Sequence, residues 1–192
     1  MLTLKQACGT LKIQGLQALD SDKLERPDSV QRIHLAKHKA RDLNEIFGAL
    51  INEELTNIEI IDRYMVAASH NVETLEDFLT SVSAIWANPS GKTVKFTYGP
   101  VNIQRDRDEW KKSMKTLIKR WESKLPGVVF RENLRGSTRQ RDFHDRRIVF
   151  TSQTSRRGKL LPPTAHTAEL TGGIQPLMDS EQETSVFIFK NI

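Results

Sequence analysis

Between residues 57 and 131 the sequence alternates short β-rich runs with amphipathic segments, and this alternation constrains the fold more than any other feature. The β-rich runs cover residues 57–62, 93–98 and 127–131, and the segments between them, 73–86 and 106–124, carry apolar residues at helical spacing. Strands joined through helices by short links favour right-handed crossovers and a parallel sheet. The sequence therefore predicts an α/β fold with helices on both faces of the sheet.

The pattern changes after residue 131. Residues 143–151 and 185–189 are typical of strands, whereas residues 152–163 form a polar stretch rich in basic residues and proline, which predicts a loop. We expect these later strands to pair as antiparallel hairpins at one side of the sheet. The complete prediction is a mixed sheet that is largely parallel, with antiparallel later strands.

The first part of the chain differs from the rest. Residues 20–28 are polar and contain a proline, which predicts a linker or turn. From residue 29 to about 51, apolar residues recur mostly at helical spacing and predict a helix. We therefore divide the chain into a helical extension or partner-docking segment, residues 1–42, and an α/β domain, residues 43–192.

Metal, cofactor and membrane sites find little support in the sequence. His34 and His38 stand four residues apart on the predicted helix, which is metal-ligand spacing, but no third ligand is near. The single cysteine, Cys8, excludes an intramolecular disulfide and a cysteine-based metal site. No signal-peptide pattern or apolar run of about 18 residues is present, so we expect a cytoplasmic protein without metal or cofactor.

Positive charge is concentrated in residues 131–159. This stretch holds nine arginine or lysine residues and three acidic ones, whereas the whole chain has a net charge of +5. Such a local excess favours ligands that carry phosphate, whether nucleic acid or lipid headgroups. The alternative is a solvated basic loop without a ligand.

Two short segments could carry chemistry. On a strand, His144 and Arg146 share one face, where they could hold a phosphate oxygen, or where the histidine could attack phosphorus. A buried structural histidine is the alternative. Asp62 follows the first strand of the alternating region, at the sheet end where α/β folds bind ligands, and Tyr64 comes two residues later. Asp62 could instead cap the next turn.

Four landmarks occur in the order of a known family: residues 55–64 (LTNIEIIDRY), 144–148 (HDRRI), 170–174 (LTGGI) and 183–189 (ETSVFIF). In this order the chain resembles the C-terminal domain that accompanies MIT (microtubule-interacting and trafficking) domains, a member of the phospholipase D superfamily. The resemblance covers about residues 43–192. It implies a phospholipase-D-like fold and a homodimer. It also implies a cleft surrounded by Asp62, Tyr64, His144, Arg146 and Glu183.

The sequence departs from the catalytic pattern of that superfamily, in which His-x-Lys is followed by an aspartate. Arg146 stands at the lysine position and Thr151 at the aspartate position. Arginine can still bind phosphate through its bidentate fork. The missing aspartate argues against turnover, although Glu183 could substitute for it. Only one such motif is present, so catalysis would need a dimer to combine two.

Three functions remain open. The first is a dimeric, catalytically degenerate module that binds the phosphate backbone of nucleic acid within a larger assembly, by fold analogy one for nucleic-acid processing or defence. Its expected phosphate ligands are Asp62, Tyr64, Arg139, Arg141, His144, Arg146 and Arg147. The second is a metal-independent nuclease or phosphodiesterase, with His144 as nucleophile assisted by Arg146 and Glu183. The third is a membrane adaptor that binds phosphoinositides.

Overall fold

The computed structural model describes residues 30–65, 69–99, 107–134 and 146–191. All of these residues except Val30 belong to one compact unit, Gln31–Ile192. Its described strands are β1 Gln31–Leu35, β2 Leu55–Ile61, β3 Thr93–Tyr98, β4 Val129–Leu134, β5 Arg147–Ser152, β6 Ser155–Arg156, β7 Lys159–Leu160, β8 Thr164–Leu170 and β9 Thr184–Asn191. Its described helices are α1 Leu43–Phe47, α2 Ser69–Ile85, α3 Arg107–Lys124 and α4 Ile174–Met178.

Seven of these strands form one mixed sheet in the order β1-β9-β8-β5-β2-β3-β4, and β6 and β7 form a separate two-stranded ribbon. The pairs β2-β3 and β3-β4 are parallel, as the alternating region predicts. The pairs β2-β5, β5-β8, β8-β9 and β9-β1 are antiparallel. The mixed sheet and the antiparallel later strands are confirmed, but only the two pairs among β2, β3 and β4 are parallel, so the described sheet is not largely parallel.

The hydrophobic core lies on one face of the sheet. Ile58 and Ile60 of β2 pair in register with Phe150 and Ile148 of β5, and all four are buried. Helix α1 packs on this face through Phe47, whose ring centroid lies 5.2 Å from that of Phe150. Helix α2 contacts each of the other three helices, and right-handed crossovers place α2 and α3 on the same side. Within the described residues the helices cover one face, so the prediction of helices on both faces is wrong for this part.

Residues 31–35 form a strand and not part of a helix. Arg32 and His34 are exposed, whereas Ile33 and Leu35 are partly buried, which is the period-two pattern of an edge strand. Helix α1 begins only after Asp42, whose side chain accepts hydrogen bonds from the backbone N–H groups of residues 44 and 45. The predicted helix over 29–51 is therefore confirmed for Leu43–Phe47 and wrong for residues 31–42, which belong to the sheet unit.

The other predicted elements are close to the structure. The strands at 57–62, 93–98, 127–131 and 185–189 and both long helices are present, with ends that differ by a few residues. Strand β5 begins at Arg147, and residues 143–145 of the predicted strand lie outside the described residues. Strand β8 was not predicted. In the described ranges, no helix has the length and apolar character needed to cross a bilayer.

Candidate functional site

Asp62 and Arg146 meet at one end of the sheet because β2 and β5 run antiparallel. Asp62 follows the last residue of β2, and Arg146 precedes the first residue of β5. Ile61 pairs in register with Arg147. The alternation of side chains directs Asp62 and Arg146 to the helix-covered face, as it does the core residues two and four positions away.

The Asp62 carboxylate is buried and bound from several sides. Its Oδ1 accepts a hydrogen bond from the backbone N–H of Tyr64 at 2.8 Å and lies 3.8 Å from Nε of Arg146. Burial raises the pKa of Asp62 above its ordinary value of 3.8. The backbone N–H of Tyr64, the charge of Arg146 and the backbone N–H of Ile174 lower the pKa, but burial is the larger effect. Asp62 thus binds the turn that follows β2, as its alternative role predicted, and also contacts the guanidinium of Arg146.

The guanidinium of Arg146 is held by three contacts. Its Nη1 donates to the carbonyl of Gly172, its Nε faces Asp62, and its Cζ lies 5.1 Å from the ring centroid of Tyr64. The side chain keeps 30% of its surface exposed. Within the described residues, Nη2 makes no hydrogen bond.

Gly172 and Gly173 let the backbone approach these two side chains. Both have positive φ, 88° and 97°. A Cβ on Gly173 would lie 2.5 Å from Oδ2 of Asp62 and 3.0 Å from Cδ of Arg146. The sequence alone assigns no role to this glycine pair. The positive φ at both positions explains why glycine is needed there.

These residues enclose a small cavity of about 70 Å³. Its polar lining includes Asp62, Tyr64, Arg146, Asn71 and Gln175, and its apolar lining consists of Met65, Leu75 and Ile174. The amide of Asn71 also donates to the carbonyl of Tyr64 at 2.7 Å. Drug-sized ligands occupy roughly 300–1,000 Å³, so this cavity fits one compact group such as a phosphate. Sequence reasoning missed Asn71 and Gln175, which lie on helices without a distinguishing pattern.

Two other predicted site residues, Arg147 and Glu183, are not brought to this cavity. Arg147 points to the opposite face of the sheet, because neighbouring residues on a strand alternate. Glu183 is 67% exposed, does not line the cavity, and lies 3.8 Å from His34. The predictions for Arg139, Arg141 and His144, including any nucleophilic role of His144, lie outside the described residues.

The basic stretch 131–159 is not one patch. Arg146 lies before β5, whereas Arg156, Arg157 and Lys159 lie on the ribbon beyond its other end. The six residues of β5 separate them by about 20 Å. Near the ribbon, Gln153 and Thr154 hydrogen-bond to Glu54, next to the start of β2.

The described residues contain no group of three or more histidine, cysteine or acidic side chains that could hold a metal ion. His34 and His38 are not on a helix, and each faces a glutamate: His34 faces Glu183, and His38 lies 3.2 Å from Glu181. A comparison with models of known families and with characterised proteins found no match to this chain.

Proposed function

We propose that this protein is a cytoplasmic module of phospholipase-D-like fold that binds the phosphate groups of a nucleic acid backbone, with Arg146 as the principal ligand. One observation carries the proposal. Asp62, Gly172 and Tyr64 fix the guanidinium of Arg146 beside a cavity large enough for a single phosphate, and no described residue forms a hydrogen bond with its Nη2. A preorganised arginine is well suited to phosphate, because its guanidinium is always charged and donates charge-assisted hydrogen bonds.

Asp62 does not prevent an anion from binding here. Its Oδ1 is turned to the Tyr64 N–H and to Nε of Arg146, and its Oδ2 faces Gly173. The carboxylate shares the lining of the cavity with Arg146, but its contacts turn it to the Tyr64 N–H, to Gly173 and to Nε of the arginine, so it orients the guanidinium and leaves Nη2 for the phosphate. This role agrees with its burial.

The test is binding of a labelled oligonucleotide over a series of salt concentrations. We expect Arg146→Ala to weaken binding about tenfold or more, the value of a lost hydrogen bond to a charged group, and to lower the salt slope by about one. Arg147→Ala is the matched control, because it removes the neighbouring charge from the opposite face. We expect it to change affinity by no more than about twofold.

Two results contradict the proposal. One is the absence of DNA or RNA binding by the unaltered protein at low salt. The other is equal affinity of the Arg146→Ala variant and the unaltered protein. Homodimer formation, membership of a larger assembly and catalysis through His144 stay predictions from the resemblance; sedimentation, co-purification and cleavage in EDTA test them in turn.

A further inference from the structure

The ribbon formed by β6 and β7 is an exposed hairpin with a basic tip. Arg156 pairs in register with Lys159, and Ser155 pairs with Leu160. Arg157 and Gly158 form the two-residue turn between them, with φ of 53° and 76°. All six residues are exposed. The hairpin therefore presents three cations to its surroundings, two on one face and one at the turn.

Two features of this hairpin cost stability. Arg157 adopts a left-handed conformation that glycine, asparagine or aspartate takes more readily in a two-residue hairpin turn. Arg156 and Lys159 stand directly opposite each other, where like charges repel. Within the described ranges, no ion pair joins any of these three residues to an acidic group. Packing in the described protein explains neither feature, whereas an external polyanion explains both.

We infer that this hairpin enters the major groove of double-stranded DNA, with Arg156, Arg157 and Lys159 contacting phosphates at its edges. This inference rests on the proposed function, which supplies nucleic acid as the class of ligand. It adds a second contact with the nucleic acid, about 20 Å from Arg146 at the other end of β5. The two contacts cannot share one phosphate. A duplex advances about 3.4 Å per base pair, so the separation corresponds to roughly six base pairs.

The dimensions of the hairpin fit that groove. Two residues per strand and the turn extend it about 10 Å, and the major groove of B-form DNA is about 8.5 Å deep and about 12 Å wide, enough for a two-stranded ribbon. The major groove of an RNA duplex is deep and narrow and excludes side chains. The geometry thus favours a DNA duplex over an RNA duplex.

The leucines at the base of the hairpin do not change this choice. Leu160 is 64% exposed and points away from the face that carries Arg156 and Lys159, and Leu161 is 39% exposed. An anionic lipid surface would attract the same cations. Two leucines offer little apolar area for a bilayer, whereas the opposed cations and the basic turn suit paired phosphate strands, so lipid is an outcome of the test.

The experiment measures fluorescence anisotropy with a DNA duplex of about 20 base pairs, two helical turns, and with an RNA duplex of the same sequence, at several salt concentrations. We expect the double variant Arg156→Ala, Lys159→Ala to lower the salt slope for DNA by about two, one for each lost phosphate contact. Arg157→Asn should lower it by about one without lowering the Tm, because asparagine tolerates the positive φ. Lys119→Ala, which removes an exposed cation from α3, should leave the slope unchanged.

The outcomes separate this inference from the proposed function. If the hairpin variants bind the DNA duplex as the unaltered protein does while Arg146→Ala loses binding, the groove contact is wrong and the proposed function stands. If Arg146→Ala also leaves binding unaltered, or if the unaltered protein binds no nucleic acid, the proposed function fails as well. The groove contact would also be overturned if the hairpin variants lost as much affinity for the RNA duplex as for the DNA duplex. The same holds if, in a parallel vesicle-binding assay, these variants lost affinity only for phosphatidylserine-containing vesicles.

Discussion

Gly173 lies so close to Asp62 that a Cβ at position 173 would come within 2.5 Å of the carboxylate Oδ2. Gly173→Ala also forces a side chain onto a residue with φ of 97°. We expect this substitution to lower the free energy of unfolding by about 1–3 kcal/mol from backbone strain alone, with a further loss from the clash, and to weaken oligonucleotide binding. Urea denaturation and the binding assay measure the two effects.

Gly91→Ala is the matched control for that prediction. Gly91 has φ of 77°, but a Cβ there would meet no atom within 4 Å. The control should therefore show the strain without the clash and without a change in binding. If Gly173→Ala is no more destabilising than Gly91→Ala, close approach to Asp62 is not what requires glycine at position 173.

The raised pKa of Asp62 predicts a specific dependence of stability on pH. The Asp62 carboxyl binds its proton more tightly in the folded protein than in the unfolded chain. Proton binding therefore stabilises the folded state fully below pH 3.8, and this stabilisation is lost as the pH rises through the folded-state pKa. Asp62→Asn removes this titration. We expect the free energy of unfolding of the unaltered protein, minus that of Asp62→Asn, to fall as the pH rises above 3.8 and then to level off. A difference that rises with pH would show that the charge of Arg146 outweighs burial.

The central fold could be predicted because its signals are local. The apolar periodicity of α2 and α3 and the β-rich runs of β2 and β3 depend on neighbouring residues only. The strand β1 was missed because its five residues pair with β9, about 150 residues away in the chain, and its period-two pattern is short. The sequence also does not state which face of the sheet the helices cover.

The site could be predicted in part for the same reason. Asp62 and Arg146 lie at strand ends, where topology brings polar residues together. The roles of Asn71 and Gln175 depend on how helices pack on the sheet, which no short motif encodes. The sequence groups the basic residues of 131–159 together because they are near in the chain, but the extended β5 separates Arg146 from the basic residues of the ribbon by about 20 Å.

The ring of Tyr64 contacts two cations: Cζ of Arg63 lies 5.7 Å from its centroid and Cζ of Arg146 lies 5.1 Å from it. At such a part-exposed position a cation–π contact contributes about 0.5–1 kcal/mol. We expect Tyr64→Leu to weaken oligonucleotide binding about two- to fivefold, the change in affinity that this free energy corresponds to. The salt slope should stay the same, because no phosphate contact is lost. Tyr64→Phe should bind as the unaltered protein does. An equal loss in both variants would assign the effect to the hydroxyl group.

Arg41 links the segment between β1 and α1 to the turn after α4 through hydrogen bonds. Its guanidinium donates to the carbonyls of Ala36 at 3.0 Å and Asp179 at 3.1 Å, and also to that of Gln182. We expect Arg41→Ala to lower the free energy of unfolding by about 1–3 kcal/mol, because part-buried carbonyls lose a charged donor. Urea denaturation measures this loss, and Lys39→Ala, at an exposed position in the same segment, should change stability by no more than about 0.5 kcal/mol. Equal stability of the two variants would mean that the hydrogen bonds of Arg41 do not stabilise the segment between β1 and α1.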